Sequence, residues 1–255
     1  MLDIAVIGTG YIGAVHLETL LRVPGVRIVA LADVNVALAE KLARRYGIER
    51  VTADWRALVD DASLSVVHTC TPNHLHFEIN KSALEAGKHV LSEKPLAISA
   101  CEARELRDLA AACEQVTGIN FCYRYYPVVQ EAAVRVRRGD IGRVHSVFGA
   151  YFQDWLLYDS DYSWRLSRDY AGPSNTMADI GSHWLDLAQY VSGARITEVM
   201  ADLRTITPVR KRSKTDVLTF ATGTPSDYDE VPIDVDDSGS VLVRFDNGAA
   251  GTFMV

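Results

Sequence analysis

Short apolar runs alternate with stretches of helical periodicity through roughly the first 120 residues. The apolar, β-branched runs are 3–7 (DIAVI), 26–32 (VRIVALA), 65–70 (SVVHTC), 88–91 (KHVL) and 116–121 (VTGINF). Helical spacing marks 11–22, 36–46, 75–86 and 100–113. Strands alternating with helices predict βαβ units and a parallel sheet, and right-handed crossovers make that sheet doubly wound. The rhythm changes after Tyr123. A helix over 128–138, ended by Gly139, precedes a strand over 144–153 and a loop over 154–173 rich in Tyr, Trp, Asp and Ser. A further helix starts near Asp179. Strands are predicted over 196–205, 216–221, 240–245 and 249–255, with Asn247-Gly248 as a hairpin turn whose two residues both tolerate positive φ.

The pattern predicts an α/β protein. Residues 1–123 form an N-terminal Rossmann domain, and residues 124–255 form an α+β domain with a largely antiparallel open sheet. The chain stops inside its last apparent strand, which reads as an incomplete second domain.

Bulk properties narrow the function classes. The net charge of −7 disfavours a nucleic-acid binder, which needs a basic face. The one basic cluster, 204–214 (RTITPVRKRSK), reads as a solvated loop. None of the four cysteines forms a CxxC pair, which argues against a zinc ribbon or redox dithiol and suits a reducing, cytoplasmic setting. The N-terminus lacks the basic and apolar regions of a signal peptide, and no run reaches the roughly 20 apolar residues of a membrane span.

Gly8-Thr9-Gly10-Tyr11-Ile12-Gly13 is a GxGxxG motif placed between an apolar strand and a helix. Its first glycine permits a tight turn, its second lets the backbone approach a pyrophosphate, and its third lets helix and strand pack closely. Free N–H groups and the helix dipole then favour the anion. Asp33 lies 20 residues beyond Gly13. A carboxylate there accepts bonds from the ribose hydroxyls and repels a 2′-phosphate, which favours NAD over NADP, although Asp33 also suits a helix cap. Thr71-Pro72-Asn73 and His76 follow a predicted strand end, where ligands of open α/β sheets sit. They read either as cofactor contacts or as a capped turn.

Glu93-Lys94-Pro95 ends the next strand. A lysine held there can hydrogen-bond a reacting hydroxyl and stabilise alkoxide charge, and the Lys94–Pro95 bond is a candidate cis peptide. Asp179 and His183, at i and i+4, share a helix face. His183 can take the hydroxyl proton as hydride leaves, with Asp179 orienting it or binding substrate. The plainer alternatives are a surface Lys-Pro turn, a capping aspartate and a packed histidine. A metal site from His74, His76 and His183 fits no ligand spacing.

These motifs, in this order, resemble the Gfo/Idh/MocA family of NAD(P)-dependent oxidoreductases, named for glucose–fructose oxidoreductase and inositol dehydrogenase. The run Gly118 to Pro127 (GINFCYRYYP), with Arg124, resembles the family's linker, and Trp164-Arg165 resembles a pair in its cofactor-facing loop. The resemblance implies that Lys94 and His183 are the catalytic pair, with Asp179 binding substrate or orienting His183. It implies a cofactor set of Gly8, Gly10, Tyr11, Ile12, Gly13, Asp33, Thr71, Pro72, Asn73, His76, Glu93, Lys94, Arg124, Trp164 and Arg165, and no metal. The substrate would be a sugar, polyol or inositol, and the protein a homo-oligomer, dimer or tetramer, through its C-terminal sheet. Two departures stand out. Family members often carry a glycine run before the aspartate, where this chain has Ala171-Gly172-Pro173-Ser174-Asn175-Thr176. They also usually continue well past the end seen here. An NAD-dependent glycosidase of the same family and a non-catalytic NAD(H) sensor are the rival readings.

Overall fold

A computed structural model describes residues 1–215 and 226–255. Contacts divide the chain into two compact units, Met1–Asn120 and Phe121–Val255. The strand predicted over 216–221 lies outside the described residues.

In the first unit, β1 (Leu2–Ile7), α1 (Tyr11–Leu20), β2 (Val26–Ala32) and α2 (Val36–Tyr46) follow in turn. Next come β3 (Arg50–Thr52), the short α3 (Arg56–Val59), β4 (Val66–Thr69), α4 (His76–Glu85), β5 (His89–Ser92), α5 (Ala100–Ala112) and β6 (Thr117–Ile119). The strands pair in parallel in the order β3-β2-β1-β4-β5-β6. The direction of winding therefore reverses between β1 and β4, and the carboxyl ends of those strands form the crevice where such sheets bind ligands. Alternation along β1 builds both faces. Ile4 and Val6 pack with Leu17, Leu20, Leu31 and Ala39 on one side. Ala5 and Ile7 pack with Val67, Ile79, Ala83 and Val90 on the other. A parallel sheet covered on both faces needs apolar residues at successive positions, which is why these strands read as continuous runs.

The second unit contains α6 (Pro127–Arg138), β7 (Ser146–Ala150), the short α7 (Arg168–Ala171), α8 (Ser182–Ser192) and β8 (Ile196–Arg204). It continues through β9 (Val209–Ser213), β10 (Tyr228–Pro232), β11 (Ser238–Phe245) and β12 (Ala250–Met254). Among the described residues these strands make a four-stranded sheet, β7-β12-β11-β8, and a β9–β10 ribbon. Two of the larger sheet's pairings are antiparallel, but β7 and β12 run parallel. Strand β11 alternates: Val241, Val243 and Phe245 are buried with Phe253 of β12 against α8, where Trp184 stacks on Phe253 at 4.7 Å. The opposite face is open. Register aligns Phe148, Thr252, Leu242 and Met200 in one exposed row across all four strands.

Two expectations need correction. The basic run 204–214 is not a solvated loop: it holds β9, and Arg210 is only 1% exposed. Arg210 donates to the carbonyls of Leu156 and Tyr158, both at 2.8 Å, and Asp237 lies 3.5 Å from its guanidinium. Burial pulls this arginine's pKa down, and the surrounding aspartates oppose that. The Asn247-Gly248 turn uses positive φ only at Gly248, with a bond from the Gly248 N–H to the Phe245 carbonyl at 3.0 Å. That is a type I turn with a one-residue bulge. Among the described residues no helix is long and apolar enough to cross a membrane.

Candidate active site

The glycine turn links β1 to α1. Gly8 has φ +92°, and a Cβ there would lie 2.5 Å from the Cys70 carbonyl oxygen. A Cβ on Gly13 would lie 2.0 Å from the Gly8 carbonyl oxygen. Gly10 differs: its φ is −64°, and among the described residues no atom beyond its chain neighbours and its own helix comes within 4 Å of its Cβ position. Neither backbone conformation nor protein packing requires a glycine there, so the remaining reason is an approaching ligand, as a pyrophosphate-binding turn demands. Tyr11 and Ile12 open α1, with Tyr11 exposed and Ile12 packed against the core.

Asp33 follows β2 and faces the same turn. One carboxylate oxygen accepts from the Thr9 N–H at 2.6 Å and its hydroxyl at 2.7 Å, and the other accepts from the Asn35 N–H at 2.8 Å. Asn35, not Asp33, caps α2, by accepting from the Leu38 N–H.

Beyond β4, the Thr71 hydroxyl is buried without a hydrogen-bond partner among the described residues. Asn73 lies inside a 3₁₀ turn, Asn73–Leu75, whose cap position is Pro72, so Asn73 is not the cap. His76 is 1% exposed, and both ring nitrogens face carbonyl oxygens, Nδ1 at 2.7 Å from Pro95 and Nε2 at 2.9 Å from Thr71. Burial, the larger effect, holds this imidazole below its usual pKa against the pull of the carbonyls. His76 thus braces the turn after β4 to the turn after β5.

The Lys94–Pro95 peptide is cis. Glu93 is buried, and His16 and Asn120 both approach Oε1, at 3.0 and 2.5 Å. Burial pushes the Glu93 carboxyl up, but those hydrogen bonds and the charges of His16 and Lys94 outweigh it and hold it below the usual carboxylate range. His16 Nδ1 lies 3.0 Å from His68 Nδ1, and burial, then His16, pulls His68 down to about 4. Sequence reasoning missed both histidines. The signal available was a polar residue at the centre of the apolar run SVVHTC.

His68 makes stability depend on pH. Its folded pKa is about 4 against an ordinary 6.5, so on acidification the unfolded chain binds the proton first. The stabilisation is complete above pH 6.5 and drains away towards pH 4. Its loss between pH 7 and pH 5 is about 2 kcal/mol. Urea unfolding of wild type and His68→Gln at both pH values should show the variant losing less than half as much as wild type. Equal losses would mean that another group carries the dependence.

In the second unit, Asp179 sits in a π-helical turn, Met177–Gly181, that runs into α8. Such turns recur at functional sites. Asp179 does not cap this helix. Asp236 accepts from the Asn175 and Met177 N–H groups at 3.1 and 2.8 Å, and the Ser174 hydroxyl accepts from the Ala178 N–H. Arg165 lies 3.5 Å from Asp179 and covers the Trp164 ring at 4.6 Å. His183, on the first turn of α8, is 5% exposed and stacks on Tyr123 with ring centroids 4.3 Å apart. The Tyr123 hydroxyl meets that of Tyr151 at 2.9 Å. Arg124 is engaged by both carboxylate oxygens of Asp186, with Nε donating at 2.6 Å.

Asp179 also lines a cavity of about 260 Å³ with Tyr151, Gln153, Trp155, Asn175 and Arg210. The aromatic loop therefore divides: Trp155 lines the cavity, while Tyr162 and Leu166 pack with Ile233 and Val235.

Residues 2–121 match the family model described as the oxidoreductase family, NAD-binding Rossmann fold, and residues 129–255 match the GFO/IDH/MocA C-terminal domain. The chain belongs to the Gfo/Idh/MocA family. Its first unit is this family's NAD-binding Rossmann domain. Levoglucosan dehydrogenase from Pseudarthrobacter phenanthrenivorans is 37% identical, over 98% of this chain and 66% of that protein. The scyllo-inositol 2-dehydrogenase (NAD(+)) of Bacillus subtilis is 26% identical, over 97% of this chain and 65% of that protein. A solved complex of levoglucosan dehydrogenase with NADH and levoglucosan superposes with TM-score 0.87 at 35% identity, covering 99% of this chain and 66% of that one. This Gfo/Idh/MocA chain thus spans just under two thirds of the length of the relatives it matches.

Proposed function

We propose that the chain belongs to an NAD-dependent dehydrogenase that moves a hydride between nicotinamide and a hydroxyl-bearing carbon of a sugar, polyol or inositol. The observation carrying this reading is Lys94, held at the carboxyl end of β5 by its braced neighbours Glu93 and Pro95. The open space at Gly10 and the partnerless Thr71 hydroxyl fit a dinucleotide at the turn. Asp33 favours NAD, because a carboxylate there repels a 2′-phosphate.

NAD, when bound, supplies the hydride acceptor. Lys94 hydrogen-bonds the substrate oxygen and stabilises its negative charge as the carbon–hydrogen bond breaks. His183 takes the hydroxyl proton and returns it in the reverse direction. Asp179 accepts from a substrate hydroxyl, and Trp155 offers an aromatic wall in the same cavity. The names of the relatives, among them a levoglucosan and an inositol dehydrogenase, support a polyhydroxylated ring as substrate. The test follows NADH absorbance while full-length protein meets a panel of sugars, anhydrosugars and inositols. Turnover on at least one is expected. Tight NADH binding with no turnover across the panel would leave a sensor instead.

The open face of the sheet supports a homo-oligomer, with Phe148 80%, Met200 70% and Leu242 54% exposed. Exposed apolar rows of this kind mark interfaces. Light scattering should report a dimer or larger for the full-length protein, and Leu242→Glu should lower that mass. A monomeric wild type would remove the proposal. The four cysteines, with no CxxC pair, suit a reducing, cytoplasmic setting.

A further inference from the structure

Glu93-Lys94-Pro95 is gripped on both sides of its lysine. Behind Lys94, the buried Glu93 carboxylate is approached at Oε1 by His16 at 3.0 Å and Asn120 at 2.5 Å, while Oε2 accepts the Lys94 N–H itself at 3.2 Å. Ahead of it, the Pro95 carbonyl faces His76 at 2.7 Å. The proposed hydride transfer uses none of these groups directly, and a buried charge is retained at a cost unless it is fully bonded.

The proton positions follow from donor chemistry. A carboxylate only accepts, so His16 Nε2 carries a hydrogen. His16 Nδ1 meets His68 Nδ1 at 3.0 Å, so one of those two nitrogens carries a hydrogen. His16 Nε2–H therefore donates to Glu93, and the Nδ1 atoms of His16 and His68 share the second hydrogen between them. Burial of His68, which holds it neutral through the physiological range, agrees with this arrangement.

His16 lies on α1, the helix that Gly10 opens and that receives the pyrophosphate in a dinucleotide turn. Glu93 follows β5, and Asn120 follows β6. The network therefore ties the cofactor helix to the peptide of Lys94. We propose that His16 and Glu93 are positioning residues for Lys94, fixing its backbone relative to the dinucleotide helix. This rests on the reading of Lys94 as the group that acts on the substrate hydroxyl. The other titratable groups facing Glu93 are Lys94 itself, Cys70 just beyond β4 and His76 at the start of α4.

Glu93→Gln tests it in the full-length protein. Glutamine keeps the shape and one acceptor but removes the charge and an acceptor for the three donors. With saturating NAD and the best panel substrate, kcat should fall about tenfold or more, while the substrate KM and the NADH dissociation constant change by less than about threefold. His16→Gln should move kcat in the same direction by a smaller factor. Long-range 15N–1H NMR of the histidine rings, without substrate, should show hydrogen on His16 Nε2. Wild-type kcat in Glu93→Gln, or a His16 ring with hydrogen on Nδ1 alone, overturns the inference. Should Glu93→Gln fail to fold, His16→Gln and the ring tautomers decide it. An active Lys94→Ala would instead overturn the reading of Lys94, so the two failures are distinguishable.

Discussion

Replacing Lys94 with alanine should lower kcat/KM by about a thousandfold, which is about 4 kcal/mol of lost transition-state stabilisation. NADH affinity should change by less than about threefold, because in the proposed mechanism the ammonium acts on the substrate oxygen. His183→Ala should cost about 10²- to 10⁴-fold, the usual range for a lost general acid–base. In the proposed mechanism both groups serve one proton and one oxygen, so the two losses should not add. Stopped-flow NADH fluorescence, alongside steady-state rates, separates binding from chemistry. Undiminished turnover in both variants would remove the catalytic assignment while leaving the nucleotide-binding half intact.

The second large effect is a contrast between two glycines three residues apart. Gly13→Ala places a methyl group 2.0 Å from the Gly8 carbonyl oxygen. Gly8 has little room to yield, because its N–H is bonded to the Ala32 carbonyl at 2.8 Å and its backbone lies against that of Cys70 and Thr71. A loss of about 3–5 kcal/mol follows from such buried overlap, enough to deplete the folded protein. Gly10→Ala meets no atom within 4 Å, so stability should change by less than about 1 kcal/mol. NADH affinity should nevertheless fall about tenfold or more, since the methyl group occupies the space the pyrophosphate approaches. Thermal melts and fluorescence titration of both variants distinguish the two roles. A Gly10→Ala protein that binds NADH normally would show that the turn holds its phosphates elsewhere.

The elements most legible in the sequence were those whose inward positions are apolar. Strand β2 and helix α2 have the bounds the pattern predicts, 26–32 and 36–46. Strand β3 escaped because three residues at a sheet edge show no period. Strand β9 escaped for a more instructive reason. Its buried inward position is Arg210, bonded through Nη1 to carbonyls some 50 residues earlier in the chain, so a search for apolar inward residues passes over it. The glycine turn was legible because sterics dictate its spacing. The brace around Lys94 was not, because its parts come from α1, β4, β5 and the residue after β6, and no local pattern joins them. Nor was the cap of the Asp179 helix, which comes from Asp236, 59 residues beyond Met177.

The bonds to Glu93 also impose an order on synthesis. His16 and Glu93 are 77 residues apart, and Asn120, the last donor, follows another 27 residues later. A nascent chain on the ribosome therefore cannot complete the bonds to this carboxylate until Asn120 has left the exit tunnel. Tension on an arrest peptide fused behind successive lengths should rise once that residue emerges, and Asn120→Ala should blunt the rise.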